Sequence, residues 1–191
     1  MNMKQSIATA VLVLALSLPA QAEKYNIDNF NAHAFIQFKV KHLGFSWLMG
    51  RFNTFEGSFE YDVKNPNAAN IQVYIDTTSI DSNHAKRDKH LRGKDFLDVA
   101  QYPKASFIST SMIEDGENIT LHGKFTLHGV SKNIVIQGKH IGAGDDPWGM
   151  YRRGFEGHTS IQLSDYNIPD TLGPVSQEVH LYFSLEGIRM K

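Results

Sequence analysis

Cysteine is absent from all 191 residues. That absence removes thiol nucleophiles, iron–sulfur clusters, Cys-based zinc sites and disulfide staples at once. It also excludes the bacterial lipoprotein route to a membrane, which needs a cysteine at the cleavage point. Charge of one sign is not in excess either: 19 Lys and Arg stand against 20 Asp and Glu, for a formal net charge of −1. Without a basic surplus or a polybasic run, nucleic acid and anionic lipid have no electrostatic footprint to bind. Long apolar runs are missing too. The longest, from Ile7 to Leu18, falls well short of the roughly 20 residues that span a bilayer. No stable membrane insertion is expected.

Several catalytic and binding signatures are also lacking. There is no G-x-S-x-G nucleophile elbow, no G-x-x-x-x-G-K-S loop and no G-x-G-x-x-G after a strand. The carboxylate pairs Asp145-Asp146 and Glu114-Asp115 sit in turns, where Asp serves the backbone. Nine histidines invite a metal reading, but their spacings do not support it. His84 and His90 lie six apart on an expected helix. His122 and His128 share the polar face of one strand, with His140 on the next. No metal, no cofactor and no catalytic residue is expected. An enzyme acting on a bound lipid would have to use titratable groups near strand ends, such as His33, His42 and Asp165.

What the N-terminus has is the order of a secretory leader. Lys4 precedes the apolar run, and Pro19-Ala20-Gln21-Ala22 ends in a small-x-small pattern. Residues 1–22 read as a signal peptide cleaved after Ala22. Residues 23–191 are then one domain, long enough to bury a core without disulfides.

Within it the dominant signal is period two. Ile119, Leu121, Gly123, Phe125 and Leu127 alternate with polar residues, as do Val179, Leu181, Phe183 and Leu185. Similar stretches run over 34–41, 55–61, 71–77, 106–112, 134–141 and 155–163, with a short candidate at 25–27. Asn65-Pro66, Asp115-Gly116, His128-Gly129 and residues 142–147 supply turns between them. Short links make antiparallel neighbours, and long alternating strands suit an elongated barrel better than a sandwich. One segment lacks alternation: from Ser79 to Leu97 the chain is charge-dense. Ser82 or Asn83 could cap a short helix there that ends near Arg92-Gly93. Its basic residues Lys86, Arg87, Lys89 and Arg92 could meet an anionic headgroup, or form a solvated face.

The residues HLGFSWLMGRF (42–52) fit neither a two-residue nor a 3.6-residue period. The run is too short to cross a membrane and too glycine-flanked for a lone helix. It reads as a link between strands whose aromatics lie at or inside one end of a channel.

The blocks HAFIQFKVKHLGFSWLMGRFNTFEGSF (33–59), TTSIDSNHAKRDKHLRGKDFLDVAQYPKASFISTS (77–111), FTLHGVSKNIVI (125–136) and SDYNIPDTLGPVSQEVHLYFSLEGI (164–188) closely resemble the YceI-like family. So does GDDPWG (144–149). The resemblance implies an all-β fold: an extended eight-stranded antiparallel, lipocalin-like barrel around a long hydrophobic channel, with one or two short helices. It further implies a periplasmic binder of a long-chain isoprenoid or similar amphiphilic lipid, often homodimeric, with no accepted enzymatic activity. The expected ligand contacts come from the residues and not from the resemblance: Phe38, Phe125 and Phe183 from inward strand faces, and Phe45, Trp47, Phe52, Phe55, Phe59 and Trp148 from the irregular run and its strand. The alternative reading is a structural or partner-binding envelope protein whose barrel is filled by its own side chains.

Overall fold

The computed structural model describes residues 22–30 and 33–191. The expected signal peptide lies outside the described residues, except for Ala22. The chain forms β1 (Glu23–Ile27), β2 (Phe35–His42), β3 (Ser46–Phe52), β4 (Phe55–Tyr61), β5 (Asn70–Asp76), β6 (Ile80–Asp81), helix α1 (Ala85–Leu91), β7 (Lys104–Asp115), β8 (Asn118–Leu127), β9 (Val130–Asp145), β10 (Tyr151–Gln162) and β11 (Glu178–Arg189).

These eleven strands make eight staves of a closed antiparallel barrel. β1 and β2 pair in succession with the same strand, β11, so they form one interrupted stave. β3 pairs with β2 and β4 with β1, which makes β3–β4 the second stave. β5 pairs with β4 and β6 with β3, which gives a third broken at residues 77–79. Five unbroken strands, β7 to β11, complete the circle, and β1 with β2 closes it against β11. Closure removes the two free edges of an open sheet, although residues 46–50 of β3 and 130–136 of β9 are paired on one side only.

Tight turns set the register. At the β8–β9 corner His128 (φ 50°) and Gly129 (φ 74°) form a two-residue loop between the paired Leu127 and Val130. At the β2–β3 corner Leu43 (φ 50°) and Gly44 (φ 85°) repeat the two positive values in a three-residue loop completed by Phe45, between the paired His42 and Ser46. Two consecutive positive φ values match the right-handed twist of a hairpin.

Alternation then decides which side chains enter the barrel. The run over 42–52, expected as an irregular link, is instead a β-hairpin whose second strand has an ordinary pleat. Leu48, Gly50 and Phe52 face in, while Trp47, Met49 and Arg51 face out. The pattern is hidden because the outer face carries Trp47 and Met49, and the inner face carries a glycine. That glycine is required: a Cβ at Gly50 would collide with the Phe38 ring, its cross-strand partner.

The helix starts later than expected. His84 is the N-cap, its Nδ1 accepting from the Arg87 N–H at 3.2 Å. Ser82 and Asn83 are committed elsewhere. The Ser82 hydroxyl and N–H both donate to the buried Asp88 carboxylate, and Asn83 takes a left-handed conformation at φ 62°. The two helix arginines hold the helix to the barrel. Arg87 donates to the Ser82 hydroxyl at 2.7 Å and to its carbonyl, and Arg92 donates to the Thr78 and Ile80 carbonyls at 2.7 and 2.6 Å.

Candidate functional site

The barrel interior is hollow at one end. A cavity of about 460 Å³ lies under α1, walled by Ile36, Phe38 and Val40 of β2, Leu48 and Phe52 of β3, and Val179, Leu181 and Phe183 of β11. Phe125 and Leu127 of β8 and Ile161 of β10 complete the wall, and Leu91, Phe96 and Leu97 form a roof. Polar lining groups come from one rim: His42 at the end of β2, His84, Lys86, Arg87 and His90 of the helix region, and Ser176. The arrangement offers an apolar chain a dry wall and offers a polar end a rim of donors, the usual division of labour in a small-molecule site. Of the rim cations, Arg87 is already spent on Ser82. Arg92, outside the lining, is spent on two carbonyls. Lys86 remains the rim's basic side chain facing the cavity.

A second, smaller cavity of about 90 Å³ lies deeper, among Phe59, Tyr61, Ile71, Met112, Leu121, Ile136, Phe155 and Leu185. Beyond it the barrel is packed solid. Tyr25 stacks on Phe59 at 4.7 Å, and Phe155 meets the Phe59 edge at 5.4 Å. Behind Tyr61 sits Arg153, only 3 % exposed, its guanidinium 4.1 Å over the Tyr61 ring and donating to His140 Nε2 at 3.0 Å. Tyr61 donates to the Glu114 carboxylate at 2.8 Å. Burial, then that carboxylate, push the Tyr61 hydroxyl up to about 12. Burial, reinforced by the Arg153 charge, pulls His140 below the usual imidazole value, so this ring is neutral and can accept.

The expected contacts divide into three groups. Phe38, Phe52, Phe125 and Phe183 line the large cavity, and Phe59, Phe125 and Phe183 line the small one. Phe55 is buried in the core opposite Ile75 but touches neither space. Phe45, Trp47 and Trp148 are corrected: they are 87 %, 46 % and 75 % exposed and line neither cavity. Trp47 lies on the outer pleat, with Lys39 Nζ 4.8 Å from its ring and the His180 edge at 5.3 Å. Phe45 is in the β2–β3 turn. Trp148 is in the β9–β10 turn, its backbone N–H donating to the Asp146 carboxylate at 2.9 Å. Turn aromatics have no pleat to aim them inward, so departure from the strand period does not point to the channel.

Aliphatic residues were missed. Ile36, Val40, Val179 and Leu181 share strand parity with Phe38 and Phe183, and that parity was the signal that could have found them. Leu48 follows from its pairing with Val40.

Of the titratable groups near strand ends, His42 reaches the rim, while His33 and Asp165 line neither cavity. His33 is on the outside with Asp28 and Glu186, whose ligand atoms lie within 4.8 Å of one another. Asp28 and Glu186 both accept from Arg152, which also binds Asp146. Arg152 supplies the positive charge that this cluster needs, and so ties Asp28, just after β1, to the barrel wall.

The chain is similar over most of its length to a UPF0312 protein of Pectobacterium carotovorum, 51% identical across 96% of this chain and 95% of that one. A UPF0312 protein of Pseudomonas aeruginosa is also 51% identical, across 98% and 99%. Among solved structures, BcnA of Burkholderia cenocepacia superposes with a TM-score of 0.74 at 22% identity, covering 84% of this chain and 98% of that one. A polyisoprenoid binding domain from Saccharophagus degradans superposes at 0.67 with 18% identity, covering 87% and 98%. Residues 25–187 match the YceI-like domain, and the chain belongs to the YceI-like family.

Proposed function

We propose that this protein is an exported carrier that holds the apolar chain of an isoprenoid or similar amphiphilic lipid inside its barrel, polar end at the rim. The observation that carries this reading is the large cavity: about 460 Å³ with an apolar wall and polar side chains confined to one end. Each CH₂ moved from water into such a wall contributes about 0.8 kcal/mol before ordering costs are subtracted. The leader-like N-terminus supports a periplasmic location, and the polyisoprenoid-binding description of the Saccharophagus neighbour supports the ligand class.

The protein purified from the exported fraction of its own cells should carry a stoichiometric apolar molecule, seen by native mass spectrometry and by organic extraction. Its intact mass should correspond to a chain starting at Glu23. Ligand-free protein that also ignores added isoprenoids would overturn the carrier reading. A mass that still includes Met1 would overturn the export reading.

A further inference from the structure

The two cavities are not independent. Ile75, Phe125 and Phe183 appear on the wall of both. They come from β5, β8 and β11, so three staves each send one side chain to the same level of the barrel. The interior is therefore one channel pinched once, with about 460 Å³ on the rim side and about 90 Å³ beyond.

The three side chains are not equally held. Ile75 is buried in the middle of a stave, paired to Phe55 on one side and Ala105 on the other. Phe125 is buried and braced by the edge of the Tyr166 ring at 5.7 Å. Phe183 is only half-buried. Its cross-strand partner on β10 is Gly157, and the residue opposite Gly157 on β9 is Gly138. Directly opposed residues share a face of the sheet, so on the β10 side the two nearest positions of this inner row carry no side chain, while on the β2 side Phe183 stands beside the buried Ile36. Both glycines line the small cavity. The wall is closely packed at both: a Cβ at Gly157 would meet the Ile136 side chain at 2.9 Å, and one at Gly138 the Glu156 carbonyl at 2.5 Å.

We infer that Phe183 is the stop that sets the length of chain this barrel holds, an inference that rests on the carrier reading above. A methylene takes up about the same room as one water in the liquid, roughly 30 Å³, so the rim-side cavity of about 460 Å³ suits roughly fifteen carbons. The inner 90 Å³ adds only about three. The ligand class that fits is thus an amphiphile whose buried portion is near three isoprene units. A longer chain leaves its remainder outside the rim unless the Phe183 ring gives way.

The test is displacement of a fluorescent apolar dye from the whole mature protein by prenyl alcohols of increasing length: geraniol, farnesol, geranylgeraniol and longer polyprenols. In the wild type, affinity should climb with length, by at most about fourfold per added carbon. It should then level off near farnesol. Phe183→Ala should move that plateau outward by at least one isoprene unit, read as the affinity of each alcohol relative to that variant's own affinity for geraniol. Phe183→Leu, a milder change in the same core, should move it less, and it decides the matter if the alanine variant fails to fold. An unmoved plateau in the folded variants overturns the inference, as does wild-type affinity that keeps rising through the longest alcohols. If no alcohol displaces the dye from the wild type, the carrier reading itself falls, and the stop with it.

Discussion

The two ends of this barrel are built from the same strands by the same alternation, yet one is hollow and the other solid. At the rim end the inward positions are mostly aliphatic (Ile36, Val40, Leu48, Val179, Leu181), and the roof is a short helix tied on by Arg87 and Arg92. At the far end Tyr25, Phe59, Tyr61 and Phe155 interlock, and Arg153 is buried among them. Aliphatic side chains that stop short of the axis leave space, whereas stacked rings meet across it. A hollow is thus specified by which inward residues are long enough to meet, not by where the strands run. The solid end should carry stability and the hollow end should carry binding.

The strongest way to test that division is at Phe59. Phe59→Ala removes the ring on which Tyr25 stacks, and should cost about 3–5 kcal/mol in urea unfolding while leaving occupancy of the rim-side cavity intact. Equal loss of binding would mean that the two ends are one cooperative unit. The reverse experiment fills the hollow. Val40→Trp places an indole in the large cavity and should weaken ligand binding tenfold or more, about 1.4 kcal/mol, with little change in the melting temperature. Undiminished binding would show that the ligand lies elsewhere.

Acid should act on the solid end first. The His140 pKa is lowered from 6.5 by burial and by Arg153. The unfolded chain therefore binds a proton that the folded chain refuses, and stability should be complete above pH 6.5 and fall as the pH drops below it. His140→Gln should flatten that slope in thermal melts across the same window. An unchanged slope would assign the acid sensitivity to another group. The smallest effect is expected outside the barrel. Trp47→Ala removes cation–π contacts with Lys39 and Lys41, and should cost under about 1 kcal/mol with no change in ligand retention. A marked loss of retention would return Trp47 to the ligand path.

Much of this was legible in the residues, and the failures have identifiable causes. β8 and β11 alternate without interruption, and their turns carry glycine beside Asp115 and His128, so both strands and corners could be read directly. β3 could not be read so easily. Gly50 breaks its inner row because Phe38 occupies the space, and Trp47 and Met49 make its outer row look like core. The helix cap moved from Ser82 to His84 because the buried Asp88 claims the serine, a contact between residues whose distance no local rule supplies. Arg87 and Arg92 looked like free cations, but both are occupied by backbone carbonyls of the chain just before the helix.

The candidate site shows the same split. Phe38, Phe125 and Phe183, which follow from strand parity, line a cavity, as does Phe52 from the run over 42–52, whereas Phe45 and Trp148, taken from irregular segments, are turn residues facing solvent. Parity applied evenly would have added Ile36, Val40 and Leu181.

By itself the sequence determined most of the strands, their faces and their corners, β3 and β6 excepted, because each depends on residues next to one another along the chain or two apart. Only the tertiary structure decided that the inward faces leave a channel, that three side chains pinch it, and that Arg153 is buried behind one end. Those outcomes depend on how far side chains from opposite staves reach toward a common axis, a distance set by barrel closure and not by any stretch of sequence.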